Sequence, residues 1–129
     1  ELLAKAMIGD YLAIMVYAEP SDGLDAAIGL LRELVAKRYK IATTTAYGPR
    51  FLHSTGQLHK GGPGTGLYLQ LTVDEEDLVI PGEAYGFATL IMAQAMGDYQ
   101  ALEDKNRRLV RVHLGEDAES GILRLLGGI

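Results

Sequence analysis

The distribution of apolar and polar positions along the chain predicts four β-strands. Residues 11–18 form an uninterrupted apolar run, and a run of this length is typical of a strand buried on both faces of a parallel sheet. Residues 40–46 are rich in β-branched side chains, and residues 107–114 alternate between apolar and polar. Together with the apolar segment 65–73, these patterns predict the strands of one sheet.

Helical spacing of apolar residues separates these strands. The first long helix follows Asp22, a candidate N-cap, and carries an apolar stripe from Leu24 to Val35. Residues 84–96 are almost wholly apolar and predict a second helix. The order of elements predicts an α/β fold, a three-layer α/β/α sandwich with a mainly parallel sheet, in one domain over residues 1–129. The remaining predicted helical segments are 1–9 (the end of a helix), 49–59, 99–106 and 116–126.

Composition and charge exclude several classes of function. A net charge of −5 and an isoelectric point near 5.1 argue against nucleic acid as a partner. No apolar run approaches the roughly 20 residues needed to cross a bilayer, so we expect no membrane partner. Cysteine is absent and the three histidines are scattered, so we expect a cytoplasmic protein without a metal or cofactor. The chain begins at Glu1 without a signal pattern, and we expect it to be part of a longer protein.

The predicted helix over residues 49–59 has one chemically equipped face. Gly48 and Pro49 are a helix-start signal, because a proline at the first helical position lacks an N–H that would have no partner there. The helix would start at the carboxyl end of a strand, where open α/β sheets bind ligands, and the glycine-rich residues 61–66 follow it. We therefore predict a ligand site here, with a solvated amphipathic helix as the alternative. Four polar residues share the equipped face: Arg50, His53, Ser54 and Gln57.

The same segment resembles a known family. Residues 48–63, continuing into 65–70, closely resemble the C-terminal part of bifunctional transaldolase/glucose-6-phosphate isomerase proteins. More broadly, they resemble the second sugar-isomerase (SIS) subdomain of phosphoglucose isomerases. The resemblance spans roughly residues 9 to 115 and implies a flavodoxin-like SIS fold. It also implies interconversion of glucose 6-phosphate and fructose 6-phosphate through an enediol. Supporting similarity lies in residues 9–11, 80–87 and 108–114.

The resemblance also implies roles for individual residues. Arg50 would stabilise the enediolate, and His53 or His59 would move protons. No cofactor is implied. The implied partners are a hexose phosphate substrate, an N-terminal SIS subdomain of the same protein and, optionally, further copies in a homo-oligomer. The fragment alone is expected to be inactive. The substrate-binding residues implied by the resemblance are Thr45, Gly48, Ser54, Gln57 and Lys60, although Lys60 also suits a helix C-terminus for electrostatic reasons alone.

Two family positions carry different residues here, and they leave other functions open. The family's catalytic glutamate would fall near Ala46, yet no acidic residue occurs between Lys40 and Leu71. The family's C-terminal lysine would follow the last strand, where this chain has residues 116–120 and Arg124. A non-catalytic SIS module that binds a sugar phosphate is therefore the main alternative. A flavodoxin-like domain with an unrelated anionic ligand is a third.

Three further features have simple structural interpretations. Residues 74–77 form an acidic turn, which we interpret as a solvated loop rather than a cation site. His113 lies in an alternating strand, and we expect it to have a structural role. The helix over 84–96 is apolar on more sides than one sheet face can cover. We therefore predict that its surface around Tyr85, Phe87 and Met92 is exposed or covered by self-association.

Overall fold

The computed structural model describes residues 2–48, 65–74, 78–105 and 107–128, except for the side chain of Phe87. The predicted helix over 49–59 lies outside the described residues. The elements follow a 3-10 turn at Leu3–Lys5; they are β1 (Tyr11–Tyr17), α1 (Asp22–Tyr39), β2 (Ala42–Tyr47), β3 (Gly66–Thr72), α2 (Phe87–Asp104), β4 (Arg108–His113) and α3 (Ala118–Gly127).

The four strands form one sheet in the order β2-β1-β3-β4, and all neighbouring strands are parallel. β1 lies inside the sheet, as its unbroken apolar sequence predicts, and the residues from Leu12 to Tyr17 are buried. β2 and β4 are the edge strands and are less buried. Helices α1 and α3 cover one face, and α2 covers the other. The α/β class and the three-layer arrangement are therefore confirmed.

The core on the α1 and α3 side is the larger of the two. Every second residue of β1 points into it, and the matching residues of β3 lie beside them. Leu31 and Val35 of α1 and Ile122 of α3 are fully buried against these strands. The helical periodicity of α1 thus places its apolar stripe on the sheet. The β1 and β3 residues in this core are Leu12, Ile14, Val16, Leu67, Leu69 and Leu71.

The core under α2 is smaller and more polar. The alternate β1 side chains Ala13, Met15 and Tyr17 form it together with residues from β3 and α2. Two apolar side chains on or before α2 are exposed to solvent, since Met96 is 54% exposed and Tyr85, which precedes α2, is 45% exposed. The prediction of an exposed apolar surface is therefore confirmed at Tyr85. Met92 is half-buried, and the Phe87 side chain lies outside the described residues.

The structure corrects two sequence-based predictions about helices. α2 is one continuous helix from Phe87 to Asp104, whereas the sequence predicted two helices, over 84–96 and 99–106, with the second starting after Asp98. Asp98 does not end the helix, because its carboxylate is buried and bound by the sheet. At the start of α1, Ser21 is the N-cap and its hydroxyl accepts a hydrogen bond from the Leu24 N–H. Asp22 is instead the first helical residue, where a negative charge still favours the helix N-terminus.

The strand order defines a topological switch point between β1 and β3. From β1 the chain goes through α1 to β2 on one side, and β3 lies on the other side of β1. Connections therefore leave the carboxyl ends of β1 and β3 in opposite directions. In open α/β sheets, ligands bind in the crevice that such a divergence creates outside the carboxyl ends of the strands.

Candidate functional site

A row of polar side chains crosses the carboxyl edge of the sheet on the α2 side. Tyr17 pairs with Thr72 of β3, and Thr72 pairs with His113 of β4. Residues that are paired in adjacent parallel strands point to the same face, so the three side chains lie side by side. We call them the edge row. The edge row spans the switch point and the strand next to it.

His113 is held at both ring nitrogens. Its Nδ1 is 2.8 Å from the Thr72 hydroxyl, and its Nε2 is 2.8 Å from Asp74 Oδ1. A carboxylate can only accept, so Nε2 carries a proton and donates it to Asp74. Thr72 is buried, whereas the His113 and Asp74 side chains are 45% and 57% exposed. The chain of contacts thus runs from the sheet interior to solvent and ends on a carboxylate.

The backbone around Asp74 is fixed by its own hydrogen bonds. The Asp74 N–H donates to the Gly115 carbonyl over 2.8 Å, and the Leu114 N–H donates to the Thr72 carbonyl over 2.7 Å. These bonds continue the pairing of β3 and β4 past the ends of both strands. Asp74 and His113 are therefore positioned by the sheet itself, which is a more rigid support than a free loop.

Tyr17 anchors α2 to the same edge. Its hydroxyl donates a hydrogen bond to Asp98 of α2, and both residues are almost fully buried. Burial and then the hydrogen bond to Asp98 raise the pKa of Tyr17 above its ordinary value. Tyr17 therefore stays protonated at neutral pH and acts as a hydrogen-bond donor.

A second polar row lies one step deeper in the sheet. Gln70 donates from Nε2 to the Ala95 carbonyl of α2 over 2.7 Å, and its Oε1 accepts from Arg111 Nε over 3.0 Å. The Arg111 guanidinium also lies over the Tyr99 ring, 4.9 Å from its centroid. Because Gln70 binds a backbone carbonyl in the middle of α2, this row fixes the height and rotation of the helix above the edge row.

A groove opens between the edge row and the first turns of α2, with a cavity volume of about 470 Å³. Tyr17, Thr72 and Asp74 line its sheet side, and Ala88, Thr89 and Met92 are among the residues of α2 that line the other side. We call this space the edge groove. It lies at the switch point, and it combines an apolar wall with a few convergent polar groups, as small-molecule sites do.

The residues predicted to form the site fall into two groups. Arg50, His53, Ser54, Gln57, His59 and Lys60 lie outside the described residues. Gly48 lies at the carboxyl edge, where its N–H donates to the Val16 carbonyl over 2.8 Å. Gly48, the first residue of the segment that carries the resemblance, therefore lies at the carboxyl edge of the sheet, on the β2 side of β1.

Thr45 lies elsewhere. It pairs with Ile14, whose side chain belongs to the core on the α1 side, so the Thr45 hydroxyl faces α1 and not the edge groove. It is half-buried and has no hydrogen-bond partner within the described part of the chain. The structure thus brings Gly48 to the edge of the site and keeps Thr45 on the opposite face of the sheet. The predicted substrate-binding role of Thr45 stays a prediction.

The sequence did not single out the polar groups of the edge groove. Asp74 was interpreted as part of a solvated turn, and His113 as a structural strand residue. Asp74 lies just after β3 and His113 is the last residue of β4, and in a parallel sheet such positions meet at one edge. The sequence shows that both residues lie at strand ends, but the strand order β1-β3-β4 is needed to see that they are neighbours. Arg124, which stands near the family's lysine position, donates to the Leu114 carbonyl over 3.0 Å.

Two classes of feature are absent from the described ranges. Among those residues, no group of three or more histidine, aspartate or glutamate side chains could hold a metal ion. No helix among them is both long enough and apolar enough to cross a bilayer. Both findings apply to the described residues alone.

Comparison with known proteins supports the fold. No family model matches the chain, and no curated protein matches it. A hypothetical protein from Thermus thermophilus superposes with a TM-score of 0.71 at 23% identity, over 88% of this chain and 32% of that chain. A de novo designed Rossmann fold protein superposes with a TM-score of 0.48 at 12% identity, over 92% and 96% of the two chains. The chain thus shares its α/β fold with the Thermus protein and spans about a third of that protein's length.

Proposed function

We propose that this chain is the second SIS subdomain of an aldose–ketose isomerase that interconverts glucose 6-phosphate and fructose 6-phosphate. The proposed reaction is the one implied by the sequence resemblance over residues 48–63. The observation that carries the proposal is the position of Gly48, whose N–H is bound to the Val16 carbonyl of β1 at the carboxyl edge of the sheet. A segment that starts there begins where α/β sheets bind their ligands.

The proposed reaction needs three kinds of group. It needs an acid/base for ring opening, a base that moves a proton between C1 and C2, and positive or donor groups near the enediolate oxygens. The resemblance assigns the positive charge to Arg50 and proton transfer to His53 or His59. The edge groove adds polar side chains on its sheet side, and its apolar α2 wall would limit water around the enediolate.

The proposal extends to the whole protein and its compartment. By the resemblance, an N-terminal SIS subdomain supplies the phosphate-binding loop and the other half of the cleft, and a transaldolase domain is fused to the chain. The exposed apolar surface at Tyr85 and Met96 is suited to contact with that subdomain or a second copy. The absence of cysteine is consistent with the reducing cytoplasm.

Isomerase assays of the full-length protein test the proposal. We expect the full-length protein to convert fructose 6-phosphate to glucose 6-phosphate, and this chain alone to show no appreciable activity. If Arg50 acts on the enediolate, Arg50→Ala should lower kcat more than it raises KM, whereas a pure KM effect would mean uniform substrate binding. Lys37→Ala, at an exposed salt bridge on α1, is the control and should leave both constants unchanged. A full-length protein without isomerase activity would contradict the proposal.

A second function is favoured by one observation. No acidic residue occurs between Glu33 and Asp74, so the family's glutamate position is not acidic. A non-catalytic module that binds a sugar phosphate needs no such base. Binding of fructose 6-phosphate by the full-length protein, without its conversion, would favour this alternative.

A further inference from the structure

We propose that Asp74 is the carboxylate base of the isomerase site and that His113 is its positioning residue. This inference rests on the proposed function. It assigns the proton transfer between C1 and C2 to a residue outside residues 48–63 and 65–70, which carry the closest resemblance to the family.

The first reason is the position of Asp74. It directly follows Val73 at the carboxyl end of β3, one of the two strands at the switch point, and its side chain lines the edge groove. Asp74 is the first acidic residue after Glu33 in the sequence. Among the described residues that line the groove, Asp74 is the acidic one, and it lies at the end of β3. Asp98 is less suitable, because it is 5% exposed and accepts the Tyr17 hydrogen bond.

The second reason is the way Asp74 is held. His113 Nε2 donates a hydrogen bond to Asp74 Oδ1 over 2.8 Å. The Thr72 hydroxyl lies 2.8 Å from the other ring nitrogen, His113 Nδ1. Both nitrogens of the imidazole are engaged, so the histidine orients the carboxylate and does not itself face a substrate. Among the described residues, the groups that line the groove with Asp74 are uncharged: Ala88, Thr89 and Met92 of α2, and Tyr17 of β1.

The proton transfer balances without a co-reactant. The second oxygen of Asp74 takes the proton from C2 of the open-chain aldose. The C2–H electron pair becomes the C1=C2 double bond, and the carbonyl pair of C1 moves to O1, which gives an enediolate. A proton then passes from O2 to O1, and the O2 electrons form the C2 carbonyl. The C1=C2 double-bond pair takes the proton from Asp74 and becomes the new C1–H bond, so C2 is oxidised and C1 is reduced within one molecule.

The test uses the full-length protein and an exposed acid as the matched control. Asp74→Asn keeps the side chain's size and removes the base, and we expect kcat to fall about 100-fold or more with KM changed less than about threefold. Exchange of the C2 hydrogen with deuterated solvent should fall by the same factor. Glu83→Gln, at an exposed acid before α2, should leave activity unchanged.

Two further variants separate chemistry from structure. Asp74→Ala should regain activity when formate is added, because a small carboxylate can occupy the space left by the side chain, whereas a folding defect would not be rescued. His113→Asn should lower kcat and change the acidic limb of the pH–kcat profile, because it changes the hydrogen bond on the base. Wild-type-like kcat in Asp74→Asn would overturn the inference and leave the proposed function intact. An inactive wild-type protein would overturn both.

Discussion

The hydrogen bond between Tyr17 and Asp98 should make a large contribution to the stability of this chain. It joins β1 to α2 on one face of the sheet, and Tyr17 and Asp98 are 2% and 5% exposed. A hydrogen bond to a charged group contributes about 1.5–3 kcal/mol when it is protected from water. We therefore expect Tyr17→Phe to lower the free energy of unfolding by that amount. For a domain of this size, the melting temperature should fall by roughly 4 °C per kcal/mol.

Urea and thermal unfolding, followed by circular dichroism, measure this effect. Tyr85→Phe is the matched control, because Tyr85 precedes α2 and is 45% exposed. We expect the control to change stability by less than about 0.5 kcal/mol. A double-mutant cycle with Asp98→Ala isolates the pairwise energy and should give a coupling of about 1 kcal/mol or more. A Tyr17→Phe variant as stable as the control, or a coupling near zero, would refute the reasoning.

Further stability predictions concern a glycine contact and a buried ion pair. A Cβ at residue 121 would lie 2.6 Å from the Leu114 Cβ, so Gly121→Ala should destabilise the chain by about 1–3 kcal/mol in urea unfolding. Gly97→Ala is the control in α2. A Cβ there meets no described atom within 4 Å, so this variant should raise the free energy of unfolding by about 0.5–1 kcal/mol. The hydrogen bond from Arg108 lowers the pKa of Asp10, so the ion pair stabilises the fold above about pH 4 and is lost as the pH falls through the folded pKa. Asp10→Asn should therefore be less stable than wild type at pH 7, and the difference should shrink as the pH falls through the folded pKa of Asp10.

The sequence was sufficient to predict the architecture because its main signals are local. The apolar run over residues 11–18 indicated a strand buried on both faces, and the structure places that strand inside the sheet. The apolar stripe of α1 indicated the face that packs on the sheet, and Leu31 and Val35 are fully buried there. Such periodicities depend only on the geometry of a single strand or helix, so they can be recognised without knowledge of the partner element.

Helix boundaries and the edge groove depended on contacts that are distant in sequence. Asp98 is a polar residue within an apolar helix and was interpreted as a break, but Tyr17 binds its carboxylate from 81 positions away in the chain. Asp74 and His113 are 39 positions apart, and they meet because β3 and β4 are neighbours in register. A local pattern contains no information on which strands become neighbours.

The amino-acid sequence by itself thus determined the α/β class and the buried central strand, while its resemblance to sugar-phosphate isomerases stays a prediction. Only the tertiary structure decided which side chains stand together at the carboxyl edge. The physical reason is that a hydrogen bond or a groove forms between elements, and its partners are chosen by strand order and register. Those are set by the packing of the whole sheet against α1, α2 and α3, and this packing brings Tyr17, Thr72 and His113 into one row.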